Sequence, residues 1–243
     1  MRIAASVVLA AASLGSAAFA QSRPSDTFDT SAGPVKITPI MHAAALLQAG
    51  GKNLYIDPAQ GNLAGLPPAD IILITDIHGD HMAQPMIDKV KGPHTVILGP
   101  KAVADKIHVD TVIANGETKK VDQWTIEAVP AYNLTRGPAA GQFYHDKGRG
   151  NGYILTYGGK RFYFSGDTED IPEMRALRNI DVAFVCMNLP YTMTPQEAAA
   201  AVKAFHPAVV YPYHYKGSDL KAFEAGLAGT GIDVRLREWY PAN

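Results

Sequence analysis

Cysteine is nearly missing from this chain: Cys186 stands alone among 243 residues, so no internal disulfide can staple the fold. A one-signed charge is missing too. Lys and Arg total 22 against 23 Asp and Glu, a formal net charge of -1, which argues against the basic footprint of a nucleic-acid binder. The longest apolar stretch, inside the first 20 residues, runs for about a dozen residues. That is short of the roughly 20 a membrane-spanning helix requires. No short repeat and no low-complexity linker divides the chain.

Hydrophobic residues are plentiful, 47% of the total, enough to bury a large core, and the length suits one sizeable domain better than two. The opening "MRIAASVVLAAASLGSAAFAQ" has one Arg, the apolar stretch, and a small-x-small end at Ala18-Phe19-Ala20. This is the layout of a secretory signal peptide over residues 1–20, and it predicts a periplasmic or secreted protein without stable membrane association after cleavage. Residues 21–32 are polar and read as a flexible lead-in, leaving 33–243 as a single domain. Cys186, within "DVAFVCM", reads as an inert thiol of a buried strand.

The segments "VKITPI", "HAAALLQAG" and "KNLYIDP" read as strands, with Gly50-Gly51 turning the last two into a hairpin. "ADIILIT" is apolar throughout, as expected of a strand covered on both faces. Met82, Met86, Ile87 and Val90 then recur at helical spacing before "HTVILG" returns to strand. Short strands follow in "DTVIA", "TKKVD" and "WTIEAVP", and Ala131 to Gly150 reads as a long loop, a feature that is often functional. The hairpin "GYILTYGGKRFYFSGD" opens the second half. A short helix from Pro172, the strand "DVAFVCM", a Thr-capped helix "TPQEAAAAVKAF", the strand "AVVYPY", a helix from Ser218 to Leu227 and a strand around Val234 complete it. Both halves run from meander strands to alternating strand and helix, which predicts two mixed sheets packed face to face with helices outside.

The densest chemistry lies in "ITDIHGDHM", where Asp76, His78, Asp80 and His81 follow the buried strand directly. In an extended chain Asp76, His78 and Asp80 project to one side, and a turn at Gly79 brings His81 round to join them. Open sheets place ligand sites at such carboxyl ends. A helix cap accounts for Asp80 alone and leaves two imidazoles and a carboxylate unexplained, so the cluster reads as a metal site.

The spacing resembles the H-x-H-x-D-H signature of the metallo-β-lactamase superfamily, with Asp76 where the first His usually stands. "LYIDP", "FSGDT" and "YPYHY" resemble further motifs of that superfamily in the same order, and the likeness leans toward small metal-dependent hydrolases related to ascorbate-phosphate lactonases. The resemblance implies a four-layer αββα sandwich and one or two divalent ions. Asp80, His81 and His214 would hold the first ion and Asp167 would bridge to a second. At the second, His78 is in place, Asp76 replaces one His, and Asn133 stands where a third is expected. Three readings stay open: a harder site suited to manganese or iron, His145 moving in as the replacement imidazole, or a weak or empty site with zinc at the first alone.

Metal-activated water implies hydrolysis, with Asp80 or Asp167 orienting the nucleophile. His42, Tyr132, Asn188 and Tyr191 are the candidate contacts to a small-molecule substrate. Lys147 and Arg149 face either an anionic substrate group or solvent. The expected function is an exported hydrolase of an ester, lactone or phosphoester. A β-lactamase-like amide hydrolase and a non-catalytic metal- or ligand-binding protein of the same fold are the alternatives.

Overall fold

The computed structural model describes residues 23–241; the signal-peptide reading of 1–20 lies outside them. Two seven-stranded mixed sheets form the body. In the first, β1 (Asp26–Phe28), β2 (Val35–Met41), β3 (Ala44–Ala49) and β4 (Lys52–Ile56) run as an antiparallel meander. β5 (Ala69–Leu73), β6 (Lys91–Gly99) and β7 (Thr111–Val112) then add in parallel. The second repeats this plan with β8 (Thr118–Val121), β9 (Trp124–Ala131), β10 (Gly150–Tyr157) and β11 (Lys160–Phe164), followed by parallel β12 (Val182–Cys186), β13 (Val209–Tyr213) and β14 (Asp233–Val234). The likeness of the two halves read from the sequence is thus a likeness of strand order.

Alternation within β5 shows how one apolar run serves two cores. Leu47, Leu54 and Ile71 are register partners and face the second sheet. One residue along each strand, Leu46, Tyr55, Ile72 and Ile97 form a row packed under α1 (Gln84–Val90) and α2 (Lys101–Ala104). Side chains alternate sides at each residue, so a strand buried on both faces must be apolar throughout. Each fully buried aliphatic contributes about 1.5–3 kcal/mol, and Ile72→Ala should cost about 2–5 kcal/mol.

The second sheet turns Phe164, Phe184 and Tyr211 inward, where Phe164 and Phe184 stack at 4.2 Å and Phe184 and Tyr211 at 4.7 Å. Its other face receives α4 (Pro195–Phe205) through Tyr163 against Phe205, with α3 (Pro172–Arg175) and α5 (Leu220–Gly226) beside it. The sequence placed α4 correctly because its start is chemically explicit: Thr194 and Glu197 form a capping box and Pro195 opens the helix.

Two expectations change. The lead-in over 21–32 is not free of structure, because Asp26–Phe28 pairs with β2. Asp26 is also clamped by Arg237 and Arg235 near the other end of the chain, with Arg237 donating at 2.8 Å. The turn at Gly79 does not depend on glycine, since its φ is not left-handed and a side chain there would meet open space.

Candidate metal centre

Apart from His145, in the loop between β9 and β10, the groups of the centre sit just beyond strands. Asp57 follows β4, Asp76 to His81 follow β5, Asp167 follows β11 and His214 follows β13. Within the body of each sheet β4 and β5, and β11 to β13, are parallel, so these ends gather along one edge of the sandwich. Backbone strain collects there: His42, Asp57 and His214 have φ values of 57°, 42° and 48°, a region that costs non-glycine residues about 1–3 kcal/mol each. Gly166, at φ 61°, must lack a side chain because a Cβ would lie 2.6 Å from the Asn151 carbonyl oxygen, and it delivers Asp167 into the centre.

Asp167 is the hub. Its Oδ1 lies 3.2 Å from His214 Nε2, and its Oδ2 lies 3.2 Å from His81 Nε2 and 3.0 Å from His145 Nε2. Asp80 completes this side, with Oδ2 3.5 Å from His214 Nε2 and Oδ1 3.9 Å from His81 Nε2. Nε2 of His81, His145 and His214 and Oδ1 of Asp167 are buried without a hydrogen-bond partner. Buried polar atoms left unpaired are costly. Unpaired lone pairs converging with two carboxylates are what a divalent cation satisfies, so the residues present fit a metal ion.

Two imidazoles are fixed for ligation from behind. His81 Nδ1 lies 2.8 Å from Asp57 Oδ2, and Asp57 in turn accepts from the Thr75 amide at 2.8 Å and the Thr75 hydroxyl at 2.6 Å. A carboxylate there keeps the proton on Nδ1 and turns the Nε2 lone pair toward the centre. His145 is set the same way by Asn133 Oδ1, 2.7 Å from its Nδ1. Asn133 is therefore a holder rather than a ligand. Its Nδ2 donates to Glu169 Oε1 at 3.0 Å and to the Tyr191 carbonyl at 2.8 Å, and its Oδ1 also accepts from the His145 amide at 2.8 Å.

The electrostatics are those of a site built for a cation. Burial opposes protonation of His81, yet Asp167 and Asp57 raise its affinity for a proton well above the imidazole norm. Burial would raise Asp167, but His214, His81 and His145 hold it well below the carboxylate range. Asp80 is likewise held far down, burial being outweighed by His214 and His42. A bound dication would take over the role of the proton on His81.

The six-residue cluster splits. Asp80 and His81 turn toward His214 and Asp167, whereas Asp76 and His78 gather with His145. Neither Asp80 nor Asp167 caps a helix, because α1 begins after Ala83 and α3 after Ile171. His42 lies against the centre, with its Nε2 3.0 Å from Asp80 Oδ2, its Nδ1 2.5 Å from the Tyr240 hydroxyl and its ring 3.6 Å from that of His214. Burial lowers its pKa.

The expected substrate contacts divide. Tyr191 is exposed, with its ring 4.9 Å from Tyr144 beside His145. Asn188 is nearly buried in the turn closed by Thr192. Tyr132 does not serve as an open contact: its ring joins the core and its hydroxyl donates to Glu173 at 3.0 Å under Lys147. Lys147 in turn pairs with Glu173 at 2.8 Å on an exposed loop face, the solvent-facing reading, whereas Arg149 is drawn in to Asp76 at 2.8 Å and faces neither solvent nor substrate. His94, His108 and His206 are exposed, and Cys186 is buried, as expected, with its thiol pushed up to about 11 by desolvation.

Two functional partners escaped the sequence reading. Asp57 lay in the quoted "LYIDP", where the Asp-Pro turn was the available signal. Glu169, which gathers Asn133, Thr135 and Arg136, had none, and neither did the pairing of Arg149 with Asp76, because the partners are far away in the chain.

Two mixed sheets carrying a buried His and Asp centre at their strand ends define a metallohydrolase. Residues 36–214 match the β-lactamase superfamily domain, and the chain belongs to the metallo-β-lactamase superfamily. A UPF0173 metal-dependent hydrolase of Pyrococcus furiosus is 34% identical over 196 residues, covering 74% of this chain and 84% of the relative. A crystal structure of a protein from Parabacteroides distasonis described as a metal-dependent hydrolase superposes with a TM-score of 0.84 at 41% identity, covering 89% of this chain and 99% of that one. The metallo-hydrolase Igni18 of Ignicoccus hospitalis shares the fold, with a TM-score of 0.69 at 24% identity over 84% of this chain and 95% of that one. The chain is a metal-dependent hydrolase of this superfamily, and the non-catalytic alternative falls away.

Proposed function

We propose that the chain hydrolyses an ester, lactone or phosphoester bond of a small molecule after export from the cytoplasm. The observation that carries the reading is the contrast in exposure within the centre. Asp167 and the imidazoles of His81 and His214 are buried, while the Asp80 side chain keeps 31% of its surface open. One carboxylate of the cluster thus borders solvent, at the place where a water molecule and a substrate would arrive.

Asp80, His81, Asp167 and His214 would hold a divalent ion, for which zinc suits the mixed imidazole and carboxylate set. When bound, such an ion supplies Lewis acidity and a hydroxide nucleophile near neutral pH. Asp80 orients the attacking water and is itself held in place by His42 from the side. Asp167 is buried among three imidazoles and acts as a fixed anionic anchor. Asp57 keeps His81 in its ligating tautomer. Tyr240 fixes His42, which in turn keeps Asp80 aimed.

Tyr191, Leu134, Phe143 and Leu189 are exposed large apolar residues on the loops after β9 and β12, which the Asn133 to Tyr191 hydrogen bond joins. They support a substrate with an apolar portion. The motif likeness to ascorbate-phosphate lactonases puts lactones first among substrates, and near-neutral charge disfavours nucleic acid. The pattern of residues 1–20 supports export, and no helix among the described residues is long and apolar enough to cross a membrane.

The test is a panel of aliphatic lactones, aryl esters and phosphodiesters offered to zinc-loaded protein and to Asp80→Asn. Turnover of a lactone or ester that Asp80→Asn loses, with circular dichroism unchanged, is the expected result. No turnover across the panel, or full activity in Asp80→Asn, would defeat the proposal.

A further inference from the structure

Asp76 is buried, yet both its oxygens are taken by one partner. Arg149 Nε donates to Oδ1 at 3.0 Å and Nη2 to Oδ2 at 2.8 Å, the two-pronged geometry in which guanidinium binds carboxylate most specifically. His78 Nδ1 lies a further 3.0 Å from Oδ2. This pair stands where the superfamily signature would put a ligand of a second ion.

The fork is fixed by backbone on both sides. The Arg149 amide donates to the Asp146 carbonyl at 3.1 Å, and the Asn151 amide to the Thr75 carbonyl at 2.9 Å, beside Asp76 itself. Between them a Cβ on Gly150 would come within 3.1 Å of the Thr75 oxygen and 3.3 Å of Asp76 Oδ1, a tight fit that the absence of a side chain relieves. Asn151 is in turn anchored by its Nδ2 to the Ile113 carbonyl at 2.8 Å. Arg149 is thus delivered to Asp76 by the start of β10 and does not depend on a mobile side chain finding it.

Charge accounting then separates the two clusters. Asp80 and Asp167 carry two negative charges that match one dication. On the other side His78 and His145 are neutral when they ligate, Asp167 is shared, and Asp76 is already matched by Arg149. A second dication would enter with no carboxylate of its own, facing both a guanidinium and the first ion.

We propose that Arg149 stands in for a second metal ion as a built-in cation, so that this chain binds one divalent ion tightly, at Asp80, His81, Asp167 and His214, and a second only weakly. The inference rests on the reading that the Asp80 cluster holds metal.

The test is zinc titration of the full chain stripped of metal, followed by elemental analysis after dialysis against a weak chelator, for wild type, Arg149→Met and His78→Ala. Wild type should retain about one zinc per chain. Arg149→Met, which keeps the length of the side chain and removes its charge, should retain the tight ion and bind a second about tenfold more tightly or better. His78→Ala, a change at a side chain that is 42% exposed, should leave the tight ion in place and serves as the arm that survives if Arg149→Met does not fold. Two zinc ions of equal affinity in wild type, no gain in folded Arg149→Met, or loss of the tight ion in His78→Ala would each overturn the proposal. Absence of zinc from all three proteins would overturn the underlying metal reading with it.

Discussion

On one side of Asp167, the imidazole Nε2 atoms of His81 and His214 point inward without a hydrogen-bond partner; on the other, where His145 Nε2 is also unpartnered, the carboxylate Asp76 is already closed by Arg149. Both sides draw on the same six residues of chain after β5, and both include His and Asp. They differ in what backs them. His81 is backed by a carboxylate, Asp57, that sharpens its lone pair, whereas Asp76 is met by a cation that saturates it. Ligand types alone therefore do not make a metal site; the charge and hydrogen-bond balance of the surrounding groups decides whether a cavity asks for an ion or already contains its answer. Burial pushes Asp76 up, but His78 and Arg149 hold it down to about 2, so the pair persists throughout the neutral range.

The comparison breaks most sharply at His81. His81→Ala, or Asp167→Ala, should reduce turnover on the order of 1,000-fold or more, and chelator treatment of wild type should do the same reversibly. Steady-state rates before and after zinc is restored check this, since only the chelated wild type should recover. Loss of the backing group comes next. Asp57→Asn should weaken zinc binding by about 10- to 100-fold, read by competition with a chelating dye; affinity unchanged within twofold would mean that His81 needs no partner.

Asn133 tests the other side. Asn133→Ala leaves His145 Nδ1 and the His145 amide without their partner, removes one of the donors to Glu169, and should cost about 1–3 kcal/mol of stability in denaturant melts, while the tight zinc of the Asp80 cluster stays bound. Loss of that zinc would mean that the two sides act as one unit. The smallest effect belongs far from both. Burial opposes ionisation of Asp26, but hydrogen bonds and charge from Arg237, with Tyr211 and Arg235, leave its pKa below the ordinary value. A depressed carboxylate stabilises the fold above its unfolded pKa and loses that contribution as pH falls through its folded one. Asp26→Asn should therefore cost about 0.5–1 kcal/mol at pH 7, and the difference from wild type should close as pH falls through the lowered pKa of Asp26. A difference independent of pH would show that packing, not charge, holds β1 in place.

Much of the fold was legible because its cues are local. The buried run of β5, the hairpin at Gly158-Gly159 and the capping box of α4 each lie within a few residues, and each formed as read. β1 was missed because a three-residue strand carries too little pattern, and its pairing with β2 and its clamp to Arg237 are long-range. In the centre, His81, Asp80, Asp167 and His214 came together as the motif order implied. Asp76 gathered with His78 and His145, the grouping the second-site reading named, while the convergence of all four cluster residues expected of a straight strand did not form, because the backbone leaves β5 after Leu73 and turns, with the Met82 amide donating to the His78 carbonyl at 2.8 Å. Asn133 likewise occupied the expected place in the chain but proved to hold His145 instead of a metal.

The sequence by itself determined the two-sheet plan and the kinds of groups at the centre, since alternation, turn residues and ligand spacing are written over short distances. Tertiary structure alone decided the division of labour. Asp57 meets His81 across 24 residues and Arg149 meets Asp76 across 73, and only the gathering of parallel strand ends along one edge brings those charges within hydrogen-bond reach. Electrostatic pairing depends on distance in space and not on separation along the chain, so the same short run of residues yields one cluster open to a cation and another already closed by one.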